Sequence, residues 1–189
     1  MTGRLDLVLL WHMHQPDYRD PASGEFLFPW VNLHAIKDYA DMAAHLERHP
    51  QVRATINLVP VLLDQLEDYA DQFATGAIRD PLLRLLVHPD PSCMASAERQ
   101  LVLDSCFRTN HQRMIEPFPA YRLLRELFTQ CAQCGDVGHA YLSGQYLADL
   151  LTWYHLAWTG ESVRRSSALV VRLMTKGSHF SLDERKALF

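Results

Sequence analysis

The chain has 189 residues, 48% of them hydrophobic, with 18 Lys and Arg against 22 Asp and Glu for a formal charge of -4. That is enough apolar material for one core, and Arg interspersed among Asp and Glu leaves no basic stripe for a phosphate backbone, so nucleic acid is not an expected partner. No apolar run reaches the roughly 18 residues of a membrane span, Asp6 interrupts the only short signal-like stretch, and four unevenly spaced cysteines make no secreted disulfide framework, so a cytoplasmic protein without a membrane partner is expected.

Residues 5–10 and 54–59 read as strands, short and aliphatic without clean polar alternation. Such near-continuous hydrophobicity predicts burial on both faces and hence a parallel sheet. Directly after the first run comes Trp11-His12-Met13-His14-Gln15-Pro16. Alternate residues on an extended backbone share a face, so His12 and His14 point together until Pro16 turns the chain. Parallel α/β sheets and barrels bind ligands at this C-terminal end of a strand. Asn57 lies at the same end of the second run. Between the strands, Ile36, Tyr39, Ala40, Ala43 and Leu46 have helical spacing that ends at His49-Pro50. This predicts a helix over 35–48, packed on one face of the strand pair.

After Pro60 the pattern becomes helical, beginning with Leu62, Leu66, Tyr69, Ala70 and Phe73. Prolines at 81, 89, 91, 117 and 119 divide the remainder of the chain into short pieces. Helices are expected over 101–113, 121–131, 147–158 and 163–176, and Ser181 with Glu184 forms a capping box for one more. Two buried-type strands alone leave unpaired backbone and bare apolar faces. Either the helices cover a miniature sheet completely, or the chain is the front part of a longer enzyme; the second is the expectation favoured, an α/β chain that is one partial domain over 1–189. Its strand-helix-strand start spans 1–75 and its helical segment 76–189, with residues 134–138 the expected flexible joint.

Residues 7–69 resemble the N-terminal end of the catalytic domain of glycoside hydrolase family 57. The resemblance is carried by His12-Met13-His14-Gln15-Pro16, by Pro29-Trp30-Val31-Asn32-Leu33-His34-Ala35-Ile36-Lys37-Asp38-Tyr39, and by Asn57-Leu58-Val59-Pro60. It continues through Arg113-Met114-Ile115-Glu116-Pro117, residues 150–158, and Lys176-Gly177. It implies the N-terminal portion of an incomplete (β/α)7 barrel, retaining cleavage or transfer of α-glycosidic bonds in an α-glucan or maltooligosaccharide, and no cofactor. The family's catalytic Glu and Asp sit on later strands, and its second motif, Gly-Gln-x-Glu, has no match, since Gly144-Gln145-Tyr146-Leu147 lacks the Glu. No catalytic residue is therefore assigned within this chain, which is expected to be inactive alone and to need a polypeptide carrying the remaining barrel strands.

The substrate-binding candidates are His12, His14, Gln15, Trp30 and Asn57. Imidazole both donates to and accepts from sugar hydroxyls at neutral pH. Gln15 serves equally as a loop-bonding amide. Trp30, in the loop after the first strand, is the one tryptophan raised to a sugar-stacking candidate, while Trp11, Trp153 and Trp158 read as core. His34, Lys37 and Asp38 read as capping and orienting the first helix. Two other readings stay open: a metal-dependent hydrolase or deacetylase in which Asp17, Asp20 or His34 completes a His12–His14 site, and a non-catalytic glucan- or partner-binding module. No metal ligand set is assigned. Cys131 and Cys134 read as a chance pair at a helix end, and Arg164-Arg165 and the Asp64, Glu67, Asp68, Asp71 stripe as solvated helix faces.

Overall fold

A computed structural model describes residues 6–134 and 136–189. Strands β1 (Leu10–Met13) and β2 (Thr55–Leu58) are adjacent and parallel, in the register Leu10 to Thr55, Trp11 to Ile56, His12 to Asn57 and Met13 to Leu58. The Thr55 amide donates to the Leu9 carbonyl at 2.9 Å and the Val59 amide to the Met13 carbonyl at 3.2 Å, closing the ladder at both ends.

The parallel pairing expected from the two apolar runs is thus present, but shifted along the first of them. Leu5 lies outside the described residues, 6–9 are not in the strand, and β1 instead contains His12. β2 is short and sets the length of β1, because a strand extends only where it has a neighbour to pair with. The expected burial on both faces is also absent: Leu10 is 62% exposed, Ile56 45% and Leu58 47%. Among the described residues these two strands form the only sheet, so each has one neighbour and one open edge.

Helix α1 (Trp30–His34) passes into a π-helical turn (Ala35–Tyr39) and then α2 (Ala40–Arg48), with right-handed helical backbone at both junctions. The helical course starts before the expected residue 35, because Val31 and Leu33, both fully buried, already belong to its core-facing stripe. It also does not lie on the strand pair as expected. Among the helices, α2 packs on α10 (Glu161–Ser166), reached through Gly160, whose amide donates to the Ile36 carbonyl at 2.9 Å.

Helix α3 (Pro60–Thr75) begins with Pro60 at its first position and ends where Gly76 takes φ +73°, the left-handed conformation that suits a glycine C-cap. Helix α4 (Pro81–Leu86) is capped by Asp80, whose Oδ1 accepts from the Leu82 amide at 2.8 Å and the Leu83 amide at 3.2 Å. The helix expected over 101–113 is two: α5 (Ser96–Ser105) and α6 (His111–Met114). Asn110 separates them, its side chain accepting from the Arg113 amide at 3.1 Å and so starting a new helix.

Helices α7 (Pro119–Ala132) and α8 (Asp136–His139) come next, and of the expected joint Gly135 lies outside the described residues. Helix α9 (Gly144–Trp158) is the centre of the molecule, buried at every residue from Tyr146 to Trp158 and in contact with α1, α4, α5 and α7. Asp149, Thr152 and His155 are buried along with the apolar residues of this run, so the helix is packed on all sides.

The helix expected over 163–176 is also broken. Ser167 ends α10 in an extended conformation and starts α11 (Ala168–Lys176), accepting from the Val170 amide at 3.4 Å. The capping box of α12 (Leu182–Leu188) forms as expected, with the Glu184 amide donating to Ser181 Oγ at 3.2 Å and the Ser181 amide donating to Glu184 Oε2 at 2.9 Å. No helix among the described residues is long and apolar enough to cross a membrane.

Candidate functional site

The strand register places His12 opposite Asn57, and His12 Nδ1 lies 2.7 Å from Asn57 Oδ1. An amide oxygen only accepts, so Nδ1 donates and Nε2 of the neutral ring is left as an outward acceptor. The His14 ring stacks on the His12 ring, centroids 5.8 Å apart and planes 19° apart. His12, His14 and Asn57 therefore share the C-terminal end of the pair, all three exposed rather than enclosed.

Gln15 turns the other way. Its Oε1 accepts from the Tyr18 hydroxyl at 2.8 Å and its Nε2 donates to the Tyr39 hydroxyl at 3.4 Å. The amide thus ties the loop after β1 to the π-helical turn. Gln65 on α3, fully buried, holds the same loop, donating to the Pro16 carbonyl at 2.9 Å and accepting from the Tyr18 amide at 3.0 Å. Arg19 fastens the loop to α3 by pairing with Asp17, Asp64 and Asp68. Asp68, 8% exposed at its side chain, also pairs with Arg79. The acidic stripe on α3, expected to be a solvated face, is therefore partly a clamp for the site loop.

The π-helical turn gathers a second group. His34 Nδ1 donates to Asp38 Oδ2 at 2.5 Å, and Lys37 Nζ to Asp38 Oδ1 at 2.5 Å. The His34 ring meets Trp158 edge-on at 5.5 Å, the Lys37 ammonium lies 5.7 Å from the Trp158 ring, and Tyr39 lies 6.3 Å from His34 between centroids. A π-helical turn widens the helix by one residue, a feature found frequently at functional sites. Partial burial pushes the Asp38 carboxyl up, but hydrogen bonds from Lys37 and His34 outweigh it and hold the group below the ordinary carboxylate range. Asp17 is held low chiefly by Arg19, and Asp20 by the Ser23 and Ala22 amides.

Trp30 stands apart from His12 and His14. Its ring packs on Trp158 at 5.8 Å and lines a separate cavity of about 160 Å³ beside Tyr154. The candidates thus fall in three places: His12, His14 and Asn57 on the strand end, Gln15 in the loop network, and Trp30 on the aromatic pair. Tyr18 and Gln65 escaped the sequence reading, while Tyr39 reads as part of the first helix and Trp158 as core. Only the i, i+4 spacing of His34 and Asp38 offered a signal for the π-helical group. Among the described residues no group of three His, Cys, Asp or Glu side chains is arranged to hold a metal ion, and His12 and His14 gain no third ligand. Cys131 and Cys134 are free thiols.

The sequence model of glycosyl hydrolase family 57 matches residues 8–182, which include the strand pair, the His12–His14 loop and every helix up to the start of α12. No curated protein and no solved structure matches the chain. The family match spans nearly the whole chain and takes in the residues gathered at the strand end; the chain belongs to glycosyl hydrolase family 57.

Proposed function

We propose that the chain is the N-terminal part of an α-glucan-active retaining glycoside hydrolase or glucanotransferase, in which His12, His14, Gln15, Asn57 and Trp30 serve substrate binding. The observation that carries this is the cross-strand bond from His12 to Asn57 with His14 stacked beside it, at the strand end where parallel folds bind ligands. The bond leaves His12 Nε2 free to accept from a sugar hydroxyl. Gln15, with both ends of its amide engaged, orients the loop and contacts substrate only at its edge. On this reading residues 1–75 begin an incomplete (β/α)7 barrel, 76–189 are its helical segment, and further strands, on this or another polypeptide, cover exposed Leu10, Ile56 and Leu58.

Retaining cleavage needs two carboxyl groups about 5 to 5.5 Å apart, one of them protonated to serve the leaving oxygen. Asp17 and Asp20, the acids of the β1 loop nearest the motif, and Asp38 of the π-helical turn are all held toward the ionised form, and Glu25, further along that loop, pairs with Arg84. Burial raises the Asp80 carboxyl, but Asp80 is occupied by Tyr69 and the first amides of α4. The same facts favour a second reading, a glucan-binding module without catalysis of its own. The test is calorimetric titration of the 189-residue chain with maltoheptaose, alongside a reducing-end assay. Binding that weakens about tenfold in His14→Ala, the cost of one good hydrogen bond, with no reducing ends above a blank, is the expected result. Turnover that is lost in Asp17→Asn or Asp38→Asn overturns it and places the catalytic pair within this chain.

A further inference from the structure

A cavity of about 310 Å³ lies on the side of α9 that carries His155, bounded by residues of α1, α3, α4 and α11 and by the end of the described chain. Most of its wall is apolar, with Ile36, Leu86, Phe73 and Phe189 among the residues that line it. His155 interrupts that wall. It is 4% exposed, and its Nδ1 donates to the Leu151 carbonyl of its own helix at 2.8 Å. Nε2, across the ring, therefore points away from the α9 backbone toward the cavity that the ring lines, and it is buried without a hydrogen-bond partner among the described residues. Buried polar atoms are nearly always bonded. Burial holds the imidazole below its ordinary range, so the ring stays neutral and Nε2 is an acceptor. Asn32 on α1, also 4% exposed, lines the same cavity and has no side-chain hydrogen bond among the described residues.

An apolar cavity of about 150 Å³ holds one benzene, and this one is about twice that size, with room for two fused rings. Phe73, Phe189 and the His155 imidazole offer aromatic faces to such a ligand. The two unpartnered groups set its polarity. A hydroxyl donates to His155 Nε2 and accepts from the Asn32 amide, whereas a carboxylate has no proton for Nε2 and would leave its charge against hydrocarbon. A sugar ring, with hydroxyls all round its rim, would leave most of them facing the apolar wall. We infer that this cavity is a binding site for a neutral two-ring aromatic alcohol, its hydroxyl held between His155 and Asn32 and its rings against Phe73, Phe189 and the aliphatic wall. None of His12, His14, Gln15, Trp30 and Asn57 lines the cavity, so the site stands independently of the glucan reading.

The test is equilibrium dialysis of the 189-residue chain against 2-naphthol, naphthalene and 2-naphthoate, probes with the same two rings that carry a hydroxyl, no polar group and a negative charge. One 2-naphthol per chain is expected to bind saturably, naphthalene about tenfold more weakly for want of the hydrogen bonds, and 2-naphthoate not at all. In His155→Phe, which keeps a ring and removes the acceptor, the preference for 2-naphthol over naphthalene should fall to about twofold. Ala40→Leu, which extends a lining side chain into the cavity and leaves His155 and Asn32 in place, should weaken both neutral probes about tenfold. Circular dichroism verifies that each variant folds, and the wild-type comparison decides by itself should one of them fail to. Binding of 2-naphthol no tighter than naphthalene in the wild type, 2-naphthoate bound as tightly as 2-naphthol, an undiminished preference in folded His155→Phe, or no saturable binding of any probe overturns the inference.

Discussion

Asp41 ties the helix carrying the π-helical turn to the start of α10. Its carboxylate accepts from the Glu161 amide at 2.8 Å, the Ser162 amide at 2.8 Å and the Ser162 hydroxyl at 2.5 Å, and so caps α10 from a position 120 residues earlier in the chain. Asp41→Ala removes the cap and returns two amides of the first turn to water. Losing a cap costs up to about 2 kcal/mol, and water reaches this half-buried site, so the three bonds together are worth about 2 kcal/mol rather than their sum. For a domain of this size that is a fall of about 4 to 8 °C in Tm. Burial raises the Asp41 carboxyl, but the Ser162 hydroxyl and the Ser162 and Glu161 amides outweigh it and hold it below 3.8. A folded-state value below the unfolded one adds stability that is present above the unfolded value and is lost as pH falls through the folded one. Differential scanning calorimetry should therefore show a constant gap between wild type and variant from about pH 5 to 7, narrowing progressively as the pH is taken below the ordinary carboxylate value of 3.8. A gap under about 1 °C at neutral pH, or one of the same size in acid, refutes the reasoning.

Gly160→Ala tests the same junction from the other side. A Cβ there would lie 2.9 Å from Asp41 Oδ1 and 2.9 Å from the Lys37 carbonyl, and the latter is backbone that cannot swing away. A loss of about 1 to 3 kcal/mol in urea unfolding is expected, with a shift of the His34 ring resonances that a remote defect would not produce. Tyr69→Phe should cost about 1.5 to 3 kcal/mol by the same assay, because it removes the 2.7 Å hydrogen bond to Asp80, a carboxyl that is 1% exposed and has no water to replace it; a neutral outcome would mean that Asp80 is protonated without it.

The parallel pairing of the strands was legible because both runs are aliphatic and a helical pattern of crossover length lies between them. Their boundaries were not, because a run such as 6–10 records hydrophobicity while the strand records where β2 ends. The helix breaks at Asn110 and Ser167 show the same limit. Each residue can sit within a helix or cap the next one, and the apolar spacing runs through both. The acidic stripe on α3 looked solvated because its partner, Arg19, lies 45 to 49 residues away. Of the site, His12 and His14 were visible from alternation, and Asn57 emerged from pairing the strands. Trp158 was not visible, since its ring reaches His34 from the last residue of the central helix.

The π-helical turn explains why the strand-end group and the helical group had such different legibility. A strand presents every second residue on one face, and that period can be read along the chain. In helix 30–48 the period slips by one residue at 35–39, and nothing in the spacing of Ile36, Tyr39, Ala40 and Ala43 marks the slip. What holds it there is tertiary: the Gly160 amide on the Ile36 carbonyl, the Asp41 cap on α10, and the Gln15 amide on the Tyr39 hydroxyl. Two of these three restraints come from the junction of α9 and α10. The placement of His34, Lys37 and Asp38 beside Trp158 therefore depends on residues 160–162 as much as on the helix that bears them. A substitution at Gly160 or Ser162 should then disturb the π-helical group while leaving the His12 to Asn57 bond, which the strand register alone secures.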